Sequence, residues 1–210
     1  NGADATNQYR GCTALTTVPL FNLSSVTNAY AMFAYCPVTT VPLFDLSKVT
    51  NATSMFYQCS SLMSVPLFNL SNCTSTLSMF AYCTALTTVP LFNLSSVTST
   101  ESMFSNTALT NVPLFDLSKV TNASYMFSNT ALTNVPLFDL SSVTNATNMF
   151  SGVTLTTQSY SDFLINLATL PLQSGVSFHG GNSKYNPAAA IARAYLISNF
   201  GWTITDGGAA

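Results

Sequence analysis

A solenoid of stacked coils, closed at its C-terminal end by a small α/β module, is the fold class this sequence predicts. Three observations predict it. The segment V-P-L-F-[N/D]-L-S-x-[V/C]-T occurs six times, with prolines at Pro19, Pro42, Pro66, Pro90, Pro113 and Pro136. A Met-Phe pair follows each copy, at Met32-Phe33, Met55-Phe56, Met79-Phe80, Met103-Phe104, Met126-Phe127 and Met149-Phe150. Both series step by 23, 24, 24, 23 and 23 residues, and a fixed period of this length marks coils that stack on one another. The repeat then decays after Phe150, where helix and strand signals of another kind begin.

Within one coil, Leu15, Val18, Leu20 and Leu23 have the spacing of apolar residues in a leucine-rich repeat. A strand over 15–20 is expected to stack in parallel with its copies. Pro19 cannot donate to a ladder, so such strands are short. Leu23 and Val26 anchor a turn, and Ala29 to Cys36 carries Met32 and Phe33 inward as one helical or 3₁₀ turn capped by Thr27 or Asn28. Counting outward from an inward Val18 and Leu20 puts Phe21 on the side of Pro19. The series Phe21, Phe44, Phe68, Phe92, Phe115 and Phe138 is then an exposed apolar stripe and an alternative interaction site. The favoured reading is that the chain turns there and stacks the rings inward, because an exposed stripe of six rings invites aggregation.

The combined pattern L-x-x-V-P-L-F-D-L-S-x-V-T-N-x-x-x-M-F-x-x-C resembles the bacterial leucine-rich-repeat surface proteins of the BspA-like type, in their M-F-x-x-C variant. The resemblance covers residues 12–152, and the tail Trp202-Thr203-Ile204-Thr205-Asp206-Gly207-Gly208 is similar to the ending of many such proteins in bacteria and their phages. It implies a right-handed solenoid of about six full coils, adhesion or receptor recognition outside the cell, and no catalytic residues. It does not separate a cell surface from a virion surface.

The solenoid is expected over residues 1–157 and the capping module over 158–210. Ala5 to Cys12 aligns with Ala52 to Cys59, so residues 1–12 read as a partial repeat, and the chain as processed or as a piece of a longer protein. In the module, Ser161 to Ala168 reads as a short helix capped by Ser159 or Ser161, and Gly175 to His179 as a strand. Asn186 and Pro187 open a second helix running to Phe200, with Ile191, Tyr195, Leu196 and Phe200 on one face. Gly201 stops it, and Trp202 to Ile204 forms a last strand.

Only 6% of the 210 residues are charged, against about 25% in ordinary soluble proteins. Ser, Thr and Asn replace the missing charge, a surface suited to carbohydrate or to packing against other proteins. A net charge of −2 supplies no basic patch for nucleic acid, and no apolar run is long enough to span a membrane. Cys12, Cys36, Cys59 and Cys83 share a column and Cys73 replaces a valine; they read as free thiols in a core, not as disulfides or metal ligands. Asp116 and Asp139 also share a column, but Lys119 lies between them and no metal is expected. His179 is the lone histidine and reads as structural, so no acid–base set, catalytic residue or cofactor is expected.

The framework hardly changes between copies, while the positions on either side of Met-Phe vary. Those positions hold Tyr30, Tyr35, Tyr57, Gln58, Tyr82, Glu101 and Tyr125, concentrated in the N-terminal half. Tyrosine gives broad amphipathic contact at low entropic cost, so these seven form the expected ligand site, for a glycan or a surface protein. The expected function is non-enzymatic recognition outside a cell or on a virion. Two alternatives are self-assembly into a fibre or shell through a poorly sealed N-terminal end, and ice binding through threonine columns beginning at Thr16 and Thr17.

Overall fold

The proline in every coil shapes the chain path in the computed structural model, which describes residues 2–210. Proline has no N–H to offer a neighbouring coil, and the chain turns sharply after it. The N–H groups of Phe68, Phe92, Phe115 and Phe138 each donate to the proline carbonyl two residues back, at 2.9–3.0 Å. Such bonds define γ-turns with a leucine at the apex. The turn breaks strand alternation and reverses one expectation, while the rings stack inward as the favoured reading had them. Leu20, Leu43, Leu67, Leu91, Leu114 and Leu137 point outward, 49–70% exposed, whereas Leu20 was expected inside. Phe44, Phe68, Phe92, Phe115 and Phe138 are buried, and only Phe21 in the first coil is part-exposed, so the alternative phenylalanine stripe is not a surface.

The buried rings form two interleaved columns. Tyr9, Phe33, Phe56, Phe80, Phe104, Phe127 and Phe150 stack at 5.4–5.8 Å between centroids. Phe21, Phe44, Phe68, Phe92, Phe115 and Phe138 stack at 6.3–6.5 Å. Cross-contacts such as Phe33–Phe44 at 5.6 Å knit the columns together. Every coil thus buries rings from two sides of its path, and offset ring pairs add about 0.5–1.5 kcal/mol each beyond their burial.

The Met-Phe side is a run of β-turns and not the expected helical or 3₁₀ turn. In the coil beginning at Asn28, the N–H groups of Met32, Ala34 and Cys36 donate three residues back within the coil, while those of Ala29, Ala31, Phe33 and Tyr35 donate to Asn51, Thr53, Met55 and Tyr57 of the next. Three donors close turns and four alternate donors join coils, which satisfies the backbone without a continuous strand. The parallel bridges recur here, from Asp4↔Asn28 to Asn122↔Asn145. On the Leu15–Leu20 side, where strands were expected, one bridge forms, Thr17↔Thr40.

Polar side chains hold the corners. Asn22, Asp45, Asn69, Asn93, Asp116 and Asp139 each accept, through Oδ1, the N–H of the serine two residues on, at 2.8–3.1 Å. This Asx-turn needs only an acceptor oxygen, which explains why Asn and Asp interchange in the column. Hydrogen bonds from Ser47 and Ser118 hold the Asp45 and Asp116 carboxyls below the usual range. The hydroxyls of Thr50, Thr74, Thr98, Thr121 and Thr144 donate to the threonine carbonyl one coil back, at 3.1–3.2 Å.

The thiols of Cys36, Cys59 and Cys83 donate to the carbonyls of Tyr9, Phe33 and Phe56, at 2.9–3.1 Å. In the next coils Thr107 and Thr130 occupy that column and bond Phe104 and Phe127 instead. All five cysteines are free thiols, and burial pushes Cys59 up to about 12 and Cys73 up to about 11. Among the described residues one buried side-chain hydroxyl has no partner: Thr100 Oγ1, in a column that holds Ala29, Ala52, Ala123 and Ala146 and also Thr76, whose hydroxyl donates to the Ser99 carbonyl at 3.4 Å. An unmatched buried polar group costs about 1–3 kcal/mol. Thr100→Val keeps the shape and removes the hydroxyl, and it is expected to raise stability by about 1 kcal/mol in chemical denaturation; a loss of stability is the contrary result.

The first coil follows the same register. The N–H groups of Ala5, Asn7, Tyr9 and Gly11 donate to Asn28, Tyr30, Met32 and Ala34, so the turn segment before Cys12 stacks on the next one as the later turn segments do. Its outer side is open. The carbonyls of Asp4, Thr6, Gln8 and Arg10 accept no hydrogen bond among the described residues, and Tyr9, Phe21, Leu23 and Val26 line a hollow of about 510 Å³.

The other end is built differently. Helix α1 (Thr157–Leu167) is capped by Thr156, β1 (Ser177–His179) pairs in parallel with β2 (Thr203–Thr205), and α2 (Pro187–Phe200) lies between them in sequence. The Asn186 side chain accepts from Ala189 N–H at the start of α2, and Gly201, at φ 66°, ends it. β1 takes the place of another coil: Ala146 and Phe150 N–H groups donate to Ser177 and His179 carbonyls. Phe163 and Phe178 meet Phe150 at 86° and 77°, edge to face, which ends the parallel ring stack. A side chain on Gly181, at φ 71°, would overlap the carbonyls of Phe150 and Val153. The buried face of α2 is Ala189, Ala192 and Leu196; Ile191 and Tyr195 are exposed, contrary to expectation. The small alanines let α2 pack closely.

Candidate functional site: a tyrosine-lined turn face

Two positions in each coil of the turn face lie at positive φ. One precedes Met, as at Ala31 (50°), Ser78 (53°) and Tyr125 (56°). The other lies two residues after the Phe of the Met-Phe pair, or after Tyr9 in the first coil, and holds Gly11 (70°), Tyr35 (64°), Gln58 (56°), Tyr82 (62°), Asn106 (57°), Asn129 (55°) and Gly152 (77°). Glycine and asparagine are the ordinary occupants of such turns. A side chain with Cβ costs about 1–2 kcal/mol there. Tyr35, Gln58, Tyr82 and Tyr125 accept that cost, and each is exposed. Four of the positions that vary between copies are therefore solvent-exposed turn residues under backbone strain.

The tyrosines touch one another. Tyr57 occupies the neighbouring column, and its ring lies 5.4 Å from Tyr35 and 5.6 Å from Tyr82, edge to face at 69° in both cases. The Arg10 guanidinium sits 5.2 Å from the Tyr35 ring centroid, within cation–π range. Burial, with Tyr35 and Tyr82 beside it, raises the Tyr57 phenol above its usual pKa. The result is a ladder from Arg10 to Tyr82 across four coils.

Two depressions flank this ladder and share Tyr57. The smaller, about 180 Å³, lies between Arg10, Tyr30, Tyr35 and Tyr57. The larger, about 470 Å³, has Tyr57, Tyr82, Glu101 and Tyr125 as walls, with Ser105, Asn106, Ser128, Asn129 and Ser151 also lining it. Six of the seven expected residues line one hollow or the other; Gln58 lines neither. The serines and asparagines of the C-terminal half escaped sequence reasoning. The signal was present: Ser105, Ser128 and Ser151 occupy the column of Tyr57, and Asn106 and Asn129 that of Tyr82. Small polar residues replace rings there and open a floor. Asn129 Nδ2 donates to Asn106 Oδ1 at 3.2 Å, and Asn122 Nδ2 donates to Glu101 Oε2 at 2.9 Å, leaving the other Glu101 oxygen free of protein partners.

The other candidates lie elsewhere. Thr16, Thr17, Thr40, Thr87, Thr88, Thr110 and Thr133 are exposed beside the leucine stripe, with Met63 interrupting them at 52% exposure. His179 Nδ1 accepts the Gly181 N–H at 3.0 Å. Among the described residues, no three His, Cys, Asp or Glu side chains are placed to hold a metal ion. No helix among them is long and apolar enough to cross a membrane.

No curated protein and no solved structure matches this chain. A family model described as "Mycoplasma protein of unknown function, DUF285" matches residues 4–90 and again 63–163. Those spans take in every coil and more than half of the chain, and the chain belongs to the DUF285 family.

Proposed function

We propose that this chain is a leucine-rich-repeat recognition module of the BspA-like, M-F-x-x-C type, which works outside a cell or on a virion and binds a glycan through its turn face. What carries the reading is the set of strained, exposed tyrosines beside a polar floor. Strain of this kind persists where function uses it, and the Asn and Gly of sister coils mark the unstrained alternative. Tyrosine rings stack on the C–H faces of a sugar. The serine, asparagine and glutamate side chains of the larger hollow supply donors and acceptors for hydroxyls. Nothing in this arrangement requires a nucleophile, metal or cofactor.

The experiment is binding of the labelled chain to target cells treated beforehand with periodate or with protease. Periodate cleaves vicinal diols of glycans, so the expected result is loss of binding after periodate and retention after protease. The reverse pattern assigns the ligand to a surface protein. A second reading is end-to-end assembly into a fibre or shell. It requires growth of molecular mass with concentration beyond a dimer.

A further inference from the structure

The six outward leucines form a face that the glycan reading does not use. They follow one another at coil spacing, about 4.8 Å, and none of them lines either tyrosine hollow. A leucine that is half or more exposed offers on the order of 100 Å² of apolar area, so six offer about 600 Å². That stands at the upper end of the roughly 300–600 Å² of a monomer's largest patch, a size that is often functional, and it approaches the roughly 800 Å² each partner gives to a standard interface.

We infer that this stripe is the contact surface of an antiparallel dimer of the chain with a second copy. Three features select that occupant. A periodic row of leucines matches itself in spacing, so the leucines of one copy fit between those of the other. The two ends of the row also differ in a complementary way. Leu20 is its most exposed member, at 70%, whereas Leu137 runs into a hollow of about 550 Å³ shared with Ile165 of α1. A two-fold axis across the middle of the stripe places each Leu20 end over the other copy's Leu137–Ile165 hollow, and an isologous contact satisfies both ends at once. Finally, Asp45, Asp116 and Asp139 come two positions after leucines of the row, a border that disfavours an anionic lipid surface.

The test is sedimentation equilibrium over the micromolar range, on the native chain, on Leu67→Lys/Leu91→Lys at the centre of the stripe, and on Ile165→Arg in the hollow. All three residues are exposed, so the fold tolerates the changes. The native chain is expected at twice the monomer mass. The double variant should weaken association by at least about 100-fold and Ile165→Arg by about 10-fold, as central and peripheral interface changes do. A native chain that stays monomeric throughout overturns the inference. So does association unchanged in the double variant, which points to the open first coil instead, or a mass shift that appears only with phosphatidylcholine vesicles. Glycan binding by the turn face is read separately and does not depend on this outcome.

Discussion

Phe80→Ala is expected to cost about 3–5 kcal/mol, the range for deleting a fully buried ring. Phe80 is completely buried, and its centroid lies 5.6–5.9 Å from Phe56, Phe92 and Phe104. Its neighbours are held in place by inter-coil hydrogen bonds on the turn side, so they cannot collapse into the space. The same change at Phe21, which has a coil on one side only and is part-exposed, is expected to cost under about 2 kcal/mol. Guanidinium unfolding followed by circular dichroism measures both. Equal costs would mean that the ring columns do not act as the continuous core described above.

Asp206→Ala has the second large effect, about 3–5 kcal/mol. The Asp206 side chain is 2% exposed and accepts from Arg193 Nε at 2.8 Å and from Tyr160 hydroxyl at 2.9 Å. Arg193 also donates to the Ile204 carbonyl and lies over the Tyr185 ring. Burial and the Asp206 carboxylate push the Tyr160 phenol well above its usual pKa, so it remains a donor. Alanine leaves a part-buried guanidinium and a buried hydroxyl without their acceptor, in the element that seals the last coil. Thermal and chemical unfolding of the variant are the measurements, and Asp206→Asn should recover part of the loss because its oxygen still accepts one bond. A cost below about 1 kcal/mol would rank this pair with ordinary surface ion pairs.

Periodicity made the stacking legible, because the proline and Met-Phe columns repeat in step and each must find the same environment. The module's second helix was legible too, since Asn186, Pro187 and Gly201 carry their own cap chemistry. The direction of Leu20 was not. Alternation assumes an extended strand, and the γ-turn after proline leaves no mark except the proline itself. The turn face was misread as helical because Ala29 to Cys36 has the length of a helical turn. In that coil the positive-φ positions hold Ala31 and Tyr35, which conceal the turn that Gly11 and Gly152 mark in the first and last coils. The tyrosines were found as variable positions, but the serine and asparagine floor was not, because small polar residues in a Ser- and Thr-rich chain do not stand out.

The most direct measurement is a glycan-array comparison of the native chain with Tyr35→Asn/Tyr57→Ser/Tyr82→Asn. Each replacement is the residue that a later coil carries in the same column, as at Asn106, Ser105 and Asn129, so the backbone geometry is retained. The expected result is a defined set of glycans bound by the native chain and lost at least about 100-fold by a variant that melts no lower than the native chain, because the strained tyrosines have been relieved. Equal glycan binding by the two chains, or none by either, would contradict recognition through the tyrosine face.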